Sequence, residues 1–440
     1  MKKVTSVIKA ILILIPVLIL SGCFGRSADD LYSLPQAPDE YIQLQSKINE
    51  VLAAGAEYAA PVSGSNRRAV QLKDLDGDGI EEAIAFFRTT GERPLKIYIF
   101  VNIDDSYEVA AIIDGDGTAI ESIDYIEMDG DGIKEVVVGM QISPSIKLLS
   151  VYSIRDFQIS SLISADYTEY TVFDMNSDSK DELMILRHTA SDLSGEVEMI
   201  SLMNDGEIAS SSAKMSNGVE SISRVKTGRL SDGNPTLLVE SVYYGNSIVT
   251  DVFTYWNSSI RNITMEASTG ISGDTVRTYN VYCTDINDDG VIDVPFPKQL
   301  YAQSETVYYL LEWHSFDSRG IRSLVMATYH NYSDGWYIVL PSSWRSSLTV
   351  RREDIVAGER AVVFSTVSGR NNDIDDMFVI YTLSGDNKEE RAKLDDRFIL
   401  ISDRDKIYAA KILNESGSVD SLRLRESFKL IFSEWVTGAT

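Results

Sequence analysis

The spacing of apolar positions changes near residue 60. In PDEYIQLQSKINEVLAAG, Tyr41, Leu44, Ile48, Val51 and Leu52 form one apolar stripe, which predicts a helix within residues 38–56. Pro38 suits its first turn, Asp39 and Glu40 its positive N-terminal end, and Gly55 a left-handed cap. From residue 66 onward, runs of Val, Ile, Tyr and Thr alternate with Asp, Gly, Asn and Ser, the pattern of short strands and turns. Strands are predicted at 68–75, 81–88, 95–102 and 106–114, with Asp114-Gly115-Asp116-Gly117 as a connecting turn. The same four-strand beat fits 121–166, 168–215, 221–265 and 277–331.

The beat carries a repeated acidic loop. DLDGDGIEE begins at Asp74, and related stretches begin at Glu127 (EMDGDGIKE), Asp174 (DMNSDSKDE) and Asp285 (DINDDGVID). These starts lie 53, 47 and 111 residues apart, and the last gap is two periods. A degenerate copy is therefore expected near 229, where residues 228–239 (GRLSDGNPTLLV) keep the turn and the following strand and lose most acids. A period near 50 with four strands per unit predicts a mainly β chain folded as a β-propeller of about five four-stranded blades over residues 66–331.

Carboxylates at every second position repel one another unless a cation or water separates them. A hard cation such as Ca2+ takes about six to eight oxygens at roughly 2.3–2.6 Å, and a nine-residue loop can supply several of them. Side chains would come from positions 1, 3, 5 and 9 and a main-chain carbonyl from position 7. The first loop offers Asp74, Asp76, Asp78 and Glu82 with the Ile80 carbonyl, and the second Glu127, Asp129, Asp131 and Glu135 with Ile133. The third offers Asp174, Asn176, Asp178 and Glu182 with Lys180, and the fourth Asp285, Asn287, Asp289 and Asp293 with Val291. Position 6 is Gly79, Gly132 and Gly290 in three loops, which points to a left-handed backbone there. In the third loop it is Ser179, beside the positive Lys180, so that site is expected to be the weakest.

An EF-hand shares the opening D-x-[DN]-x-D-G but needs a carboxylate at position 12 and flanking helices. Position 12 here is Ala85, Val138, Ile185 and Phe296, and the flanks read as strands. The combination resembles the FG-GAP (VCBS-like, integrin-type) repeat. That resemblance implies a calcium loop joining two strands of a propeller blade, with an ion that stiffens the blade.

After residue 332 the repeat is lost. GWYIVLPSSW, RAVVFSTVS, DMFVIYTLS and DRFILISDRDKIYAAKI read as strands, and Leu424, Phe428, Ile431 and Trp435 form a helical face behind a cap at Asp420 or Ser421. Residues 332–440 are thus expected to form a small α+β domain, which faintly resembles the PsbP-like fold.

The N-terminus begins with Lys2, Lys3 and Lys9, an apolar run from Ala10 to Leu20, then Ser21, Gly22 and Cys23. That run is too short to cross a bilayer and reads as a secretory signal over residues 1–22. Leu20-Ser21-Gly22-Cys23 resembles the lipobox of bacterial lipoproteins. The resemblance implies cleavage before Cys23, a lipid on its sulfur and attachment to the outer face of the cell membrane through a tether over residues 23–37. Loss of residues 1–22 removes three Lys and no acid, leaving 37 basic against 66 acidic residues, a net charge of −29. Such a surface repels nucleic acid and suits cations. With Cys23 lipidated, Cys283 stands alone, and its alternating surroundings (NVYCTDIN) predict a buried strand thiol.

Catalytic patterns are sparse. His188, His314 and His330 are dispersed, and no HExxH, GxSxG or Walker loop occurs. Ser211 and Lys214 match S-x-x-K, but in a predicted strand. Aromatic residues gather at Tyr243, Tyr244, Tyr255 and Trp256 and again from Tyr308 to Tyr337, suited to packing or to a sugar or protein ligand. The expectation is a monomeric, lipid-anchored, calcium-binding module that holds a protein or glycan ligand at the cell surface and is not an enzyme. A polysaccharide-active enzyme and an envelope assembly or sensing factor are the alternatives.

Overall fold

The computed structural model describes residues 39–103, 106–203, 206–278, 280–301, 306–368, 373–414 and 419–431. The signal, Cys23, the tether and Trp435 lie outside the described residues. The chain is mainly β and divides into two compact units, one reaching residue 122 with 156–159 added, the other holding the remainder.

In the first unit, helix α1 (Asp39–Ala53) precedes a five-stranded sheet of β1 (Glu57–Tyr58), β2 (Val70–Lys73), β3 (Glu82–Arg88), β4 (Leu95–Ile103) and β5 (Ser106–Gly115). The order is β1-β3-β4-β5, with β2 also paired to β3. Leu44 and Ile48 of the apolar stripe pack against Ala83, Ala85, Phe87, Phe100 and Tyr107. Gly55 ends the helix at φ 98°, with its N–H on the Leu52 carbonyl, and Lys47 reaches Glu108 on β5 at 2.8 Å.

Three four-stranded antiparallel sheets follow. The second sheet is β6 (Ala119–Ile126, crossing the division at Ser122), β7 (Glu135–Ser143), β8 (Ile146–Ser153) and β9 (Ser160–Asp166). The third is β10 (Glu169–Phe173), β11 (Glu182–Thr189), β12 (Ser194–Leu202) and β13 (Ile208–Lys214). The fourth is β14 (Val219–Arg229), β15 (Pro235–Tyr243), β16 (Ser247–Trp256) and β17 (Ser259–Asn262). The fifth contains β18 (Val294–Gln299), β19 (Tyr309–Phe316), β20 (Arg322–Asn331) and β21 (Trp336–Leu340). The sixth holds β22 (Leu348–Val356), β23 (Glu359–Ser368), β24 (Asp373–Ser384), β25 (Phe398–Ser402) and β26 (Lys406–Ile412), with helix α2 (Lys388–Arg391) between β24 and β25. Helix α3 (Ser421–Ser427) leads into β27 (Phe428–Leu430), which adds to β21 of the fifth sheet.

Within the second unit, each sheet packs on the next. Val137 and Leu149 meet Leu183 and Ile185; Met184 and Leu186 meet Leu237 and Val249. Leu238 and Val252 meet Val294 and Phe316, and Tyr329 and Trp336 meet Phe364 and Phe378. The second strands of the third and fourth sheets, β11 and β15, are therefore covered on both faces. Successive side chains of a strand point to opposite faces, which explains why residues 183–186 and 237–239 read as unbroken apolar runs.

Three expectations fail after residue 276. Trp336–Leu340 pairs with β20 and extends the fifth sheet past residue 331. The first strand expected for that unit is reduced to a single bridge between Thr284 and Asp293. The predicted helical face of Leu424, Phe428 and Ile431 is split. Asp420 caps α3 by accepting from the Arg423 N–H, but the helix stops at Ser427. Phe428 instead pairs with Ile338 and buries its ring against Trp336 and Tyr408, at centroid distances of 5.5 and 5.4 Å.

Candidate metal centres

Each acidic loop is shaped by its own carboxylates. In the first, between β2 and β3, Asp74 accepts from the N–H groups of Gly77 (2.8 Å) and Gly79 (3.2 Å), Asp76 from Asp78 (3.1 Å), and Asp78 from Ile80 (2.7 Å). The second repeats this: Glu127 accepts from Gly130 at 2.8 Å, Asp129 from Asp131 at 3.2 Å and Asp131 from Ile133 at 2.8 Å. In the third, Asp174 accepts from Asp178 and Ser179, and Asp178 from Lys180; in the fourth, Asp285 accepts from Asp289 and Gly290, and Asp289 from Val291. These are side-chain to backbone turns of the kind Asp favours. They fold the chain so that the odd positions converge.

Position 6 is left-handed in all four, with φ 87° at Gly79, 88° at Gly132, 72° at Ser179 and 84° at Gly290. Position 4 is left-handed too, at Gly77, Gly130, Ser177 and Asp288. That second requirement was not read from the sequence, although two of the four residues there are glycine.

Position 9 closes each loop from beneath. Glu82, Glu135 and Glu182 begin β3, β7 and β11, Asp293 stands just before β18, and all four are buried. One oxygen of each accepts from the backbone N–H at position 2: Leu75 (2.8 Å), Met128 (3.1 Å), Met175 (2.8 Å) and Ile286 (3.3 Å). Burial, with help from the neighbouring loop carboxylates, pushes all four acids up to about 7, against the pull of that N–H. Asp293 Oδ1 is buried with no hydrogen-bond partner. A buried carboxylate oxygen without a donor is costly unless a proton or cation sits on it, so the donor set fits a hard cation. Asp74, Asp76 and Asp78 each bring an oxygen within 4.8 Å of the others, as do Glu127, Asp129 and Glu135.

The second and third loops touch. Asp181 N–H donates to the Glu127 carbonyl at 2.9 Å. The Lys180 side chain runs to the second loop, where a Cβ on Gly130 would stand 2.9 Å from Lys180 Cε. The positive charge expected to weaken the third loop is thus extended toward its neighbour. Asn176 also turns its amide nitrogen to Glu182 Oε1 (2.7 Å) and Asp178 Oδ2 (3.1 Å), a polar substitute for an ion among those oxygens. Arg155 pairs with Asp131 and reaches Asp129 Oδ2 at 3.3 Å.

The degenerate copy holds no acidic cup. The turn after β14 is short, and Asp232 accepts from the Ser318 N–H at 2.9 Å, with Ser318 and Asn234 holding its carboxyl down to about 2 despite partial burial.

Other singled-out residues are taken up by the fold. Ser211 and Lys214 lie on β13, where Ser211 accepts from the Ile260 N–H. His188 meets the Val219 carbonyl; His330 is buried beside Thr328, and burial lowers it to about 3. Trp313, Tyr329 and Trp336 are core residues, whereas Tyr244, in the turn between β15 and β16, and Trp256, the last residue of β16, are exposed. Cys283 is buried as expected, in extended chain before the fourth loop rather than in a strand.

Its surroundings were missed by the sequence reading. Glu240 on β15 is fully buried and accepts from Arg277 Nη2 (2.6 Å) and the Cys283 N–H (2.8 Å), while Arg224 donates to the Cys283 carbonyl at 3.2 Å. On the opposite face, Asp251 accepts from Ser216, Asn262 and Ser272. An acid within LLVESVYY was the available signal: a charge in a run buried on both faces must have a partner.

No family model matches the chain, and no curated protein matches it. Among solved structures, a provisionally assigned 6-phosphogluconolactonase from Bacteroides fragilis NCTC 9343 is similar over 73% of this chain and 92% of that one, at 8% identity and a TM-score of 0.28. At that score the likeness carries no argument about this chain, and the loops stand on their own geometry. No helix among the described residues is long and apolar enough to cross a membrane.

Proposed function

We propose that this chain is a propeller-like β scaffold stiffened by calcium and held on the outer face of the cell membrane by a lipid on Cys23. On this reading it is a binding module that displays a surface to a protein or glycan, not an enzyme. The observation that carries the calcium reading is the recurrence of one buried carboxylate, Glu82, Glu135, Glu182 or Asp293, on the same backbone N–H beneath the same loop. Side chains at positions 1, 3, 5 and 9 and the carbonyls of Ile80, Ile133, Lys180 and Val291 would hold the ions. A bound Ca2+ supplies the counter-charge that lets the buried acids stay ionised. Consecutive packing of four- and five-stranded sheets supports the propeller-like reading. The lysines, apolar run and Leu20-Ser21-Gly22-Cys23 support the anchor.

Titration calorimetry of the chain with calcium, after chelator treatment, tests the metal. Saturable heat and a melting temperature raised by calcium and lowered by EDTA are expected; equal melting in both would overturn the reading. For the anchor, intact mass of the membrane-extracted chain should show a lipid adduct that is lost in Cys23→Ala.

A further inference from the structure

The second loop carries four carboxylates, Glu127, Asp129, Asp131 and Glu135, against three in the third. By charge alone it should take a divalent cation more tightly than the third. Yet the structure sets a guanidinium on it. Arg155 Nη2 pairs with Asp131 and lies 3.3 Å from Asp129 Oδ2, both at odd positions of the loop. The Asp129 side chain is only 9% exposed and that of Arg155 is 56% exposed, so a guanidinium in contact with solvent lies over a nearly covered acid. Arg155 follows β8 in a turn whose next residues, Asp156 and Phe157, are left-handed at φ 51° and 53°. Neither is a glycine, so the turn that aims Arg155 is held at a cost in backbone strain. Lys180, packed over Gly130, is a second cationic side chain at the same loop.

We propose that Arg155 is a resident counter-cation of the second loop, competing with a divalent ion for Asp129 and Asp131, so that this loop is filled after the first and fourth. The proposal rests on the calcium reading above. A guanidinium and a calcium ion cannot share those two carboxylates without repulsion, so filling requires Arg155 to swing into solvent. That opposition makes the second loop responsive to the surrounding calcium level.

Calcium alone, titrated calorimetrically into the chelator-treated chain, tests it in wild type, Arg155→Ala, Arg155→Lys and the double variant Arg155→Ala with Asp131→Asn. Arg155→Ala should shift one site roughly fivefold tighter, the size of a partly exposed ion pair. Arg155→Lys should fall between, because an ammonium cannot engage two carboxylates as a fork. The double variant should lose the tightened site. In EDTA, Arg155→Ala should also melt below wild type, and the gap should close in calcium. If wild type binds calcium and Arg155→Ala leaves every site unchanged, the counter-cation idea is wrong and the calcium reading stands. If neither chain binds calcium, the calcium reading itself fails.

Discussion

A buried carboxyl beneath other carboxylates has two ways to exist: it keeps its proton, or it acquires a cation. Glu82, Glu135, Glu182 and Asp293 are pushed up to about 7 by burial, whereas the unfolded chain ionises them near 4.5 or 3.8. Without metal, the folded state therefore holds protons that the unfolded state has released across that window. Stability contributed by these groups is present below about pH 4 and is lost as pH rises to about 7. In EDTA the melting temperature should fall between about pH 5 and pH 8, and the gain from calcium should be widest at the higher pH. Scanning calorimetry at the two pH values checks this; a gap that is constant or widest in acid would contradict it. Glu82→Gln separates charge from shape. At about pH 8 it should raise the melting temperature by a few degrees in EDTA and shrink the rise on adding calcium.

The loop as an element was legible because its side chains recur in register. The strands around it were legible because runs such as residues 183–186 are apolar on both faces. What escaped notice depends on distant partners. The i, i+4, i+7 spacing of Leu424, Phe428 and Ile431 fits a helix locally, but pairing of Phe428 with Ile338 ends α3 at Ser427. Position 4 escaped because only half its residues are glycine, although its backbone is as left-handed as position 6. Ser179 at φ 72° is the non-glycine residue at position 6. Ser179→Gly should stabilise the chain by about 1 kcal/mol in thermal melts, and Gly79→Ser should destabilise it by a similar amount. An unchanged melting temperature in both would show that the left-handed backbone is not what selects glycine there.

Across the second unit, the second to fifth sheets each pack on their successor, so damage at one interface is felt through two sheets. Phe428 returns from the far end of the chain to the fifth sheet and joins the core shared with the sixth, among Trp336, Phe364 and Tyr408. Phe428→Ala should cost about 3–5 kcal/mol and broaden the melt, seen in calorimetry, while leaving calcium stoichiometry at the loops unchanged. The sequence shows the serial strand pattern but not this closing strand, because β21 and β27 are separated by the whole sixth sheet. A last consequence concerns Cys283, whose N–H and carbonyl are held by Glu240 and Arg224 beside the fourth loop. Its sulfur is sealed from solvent, and burial raises the thiol well above its usual range. A thiol-modifying reagent therefore has to wait for the junction of the fourth and fifth sheets to open. The rate of modification becomes a clock for that opening, and calcium at the fourth loop should slow it.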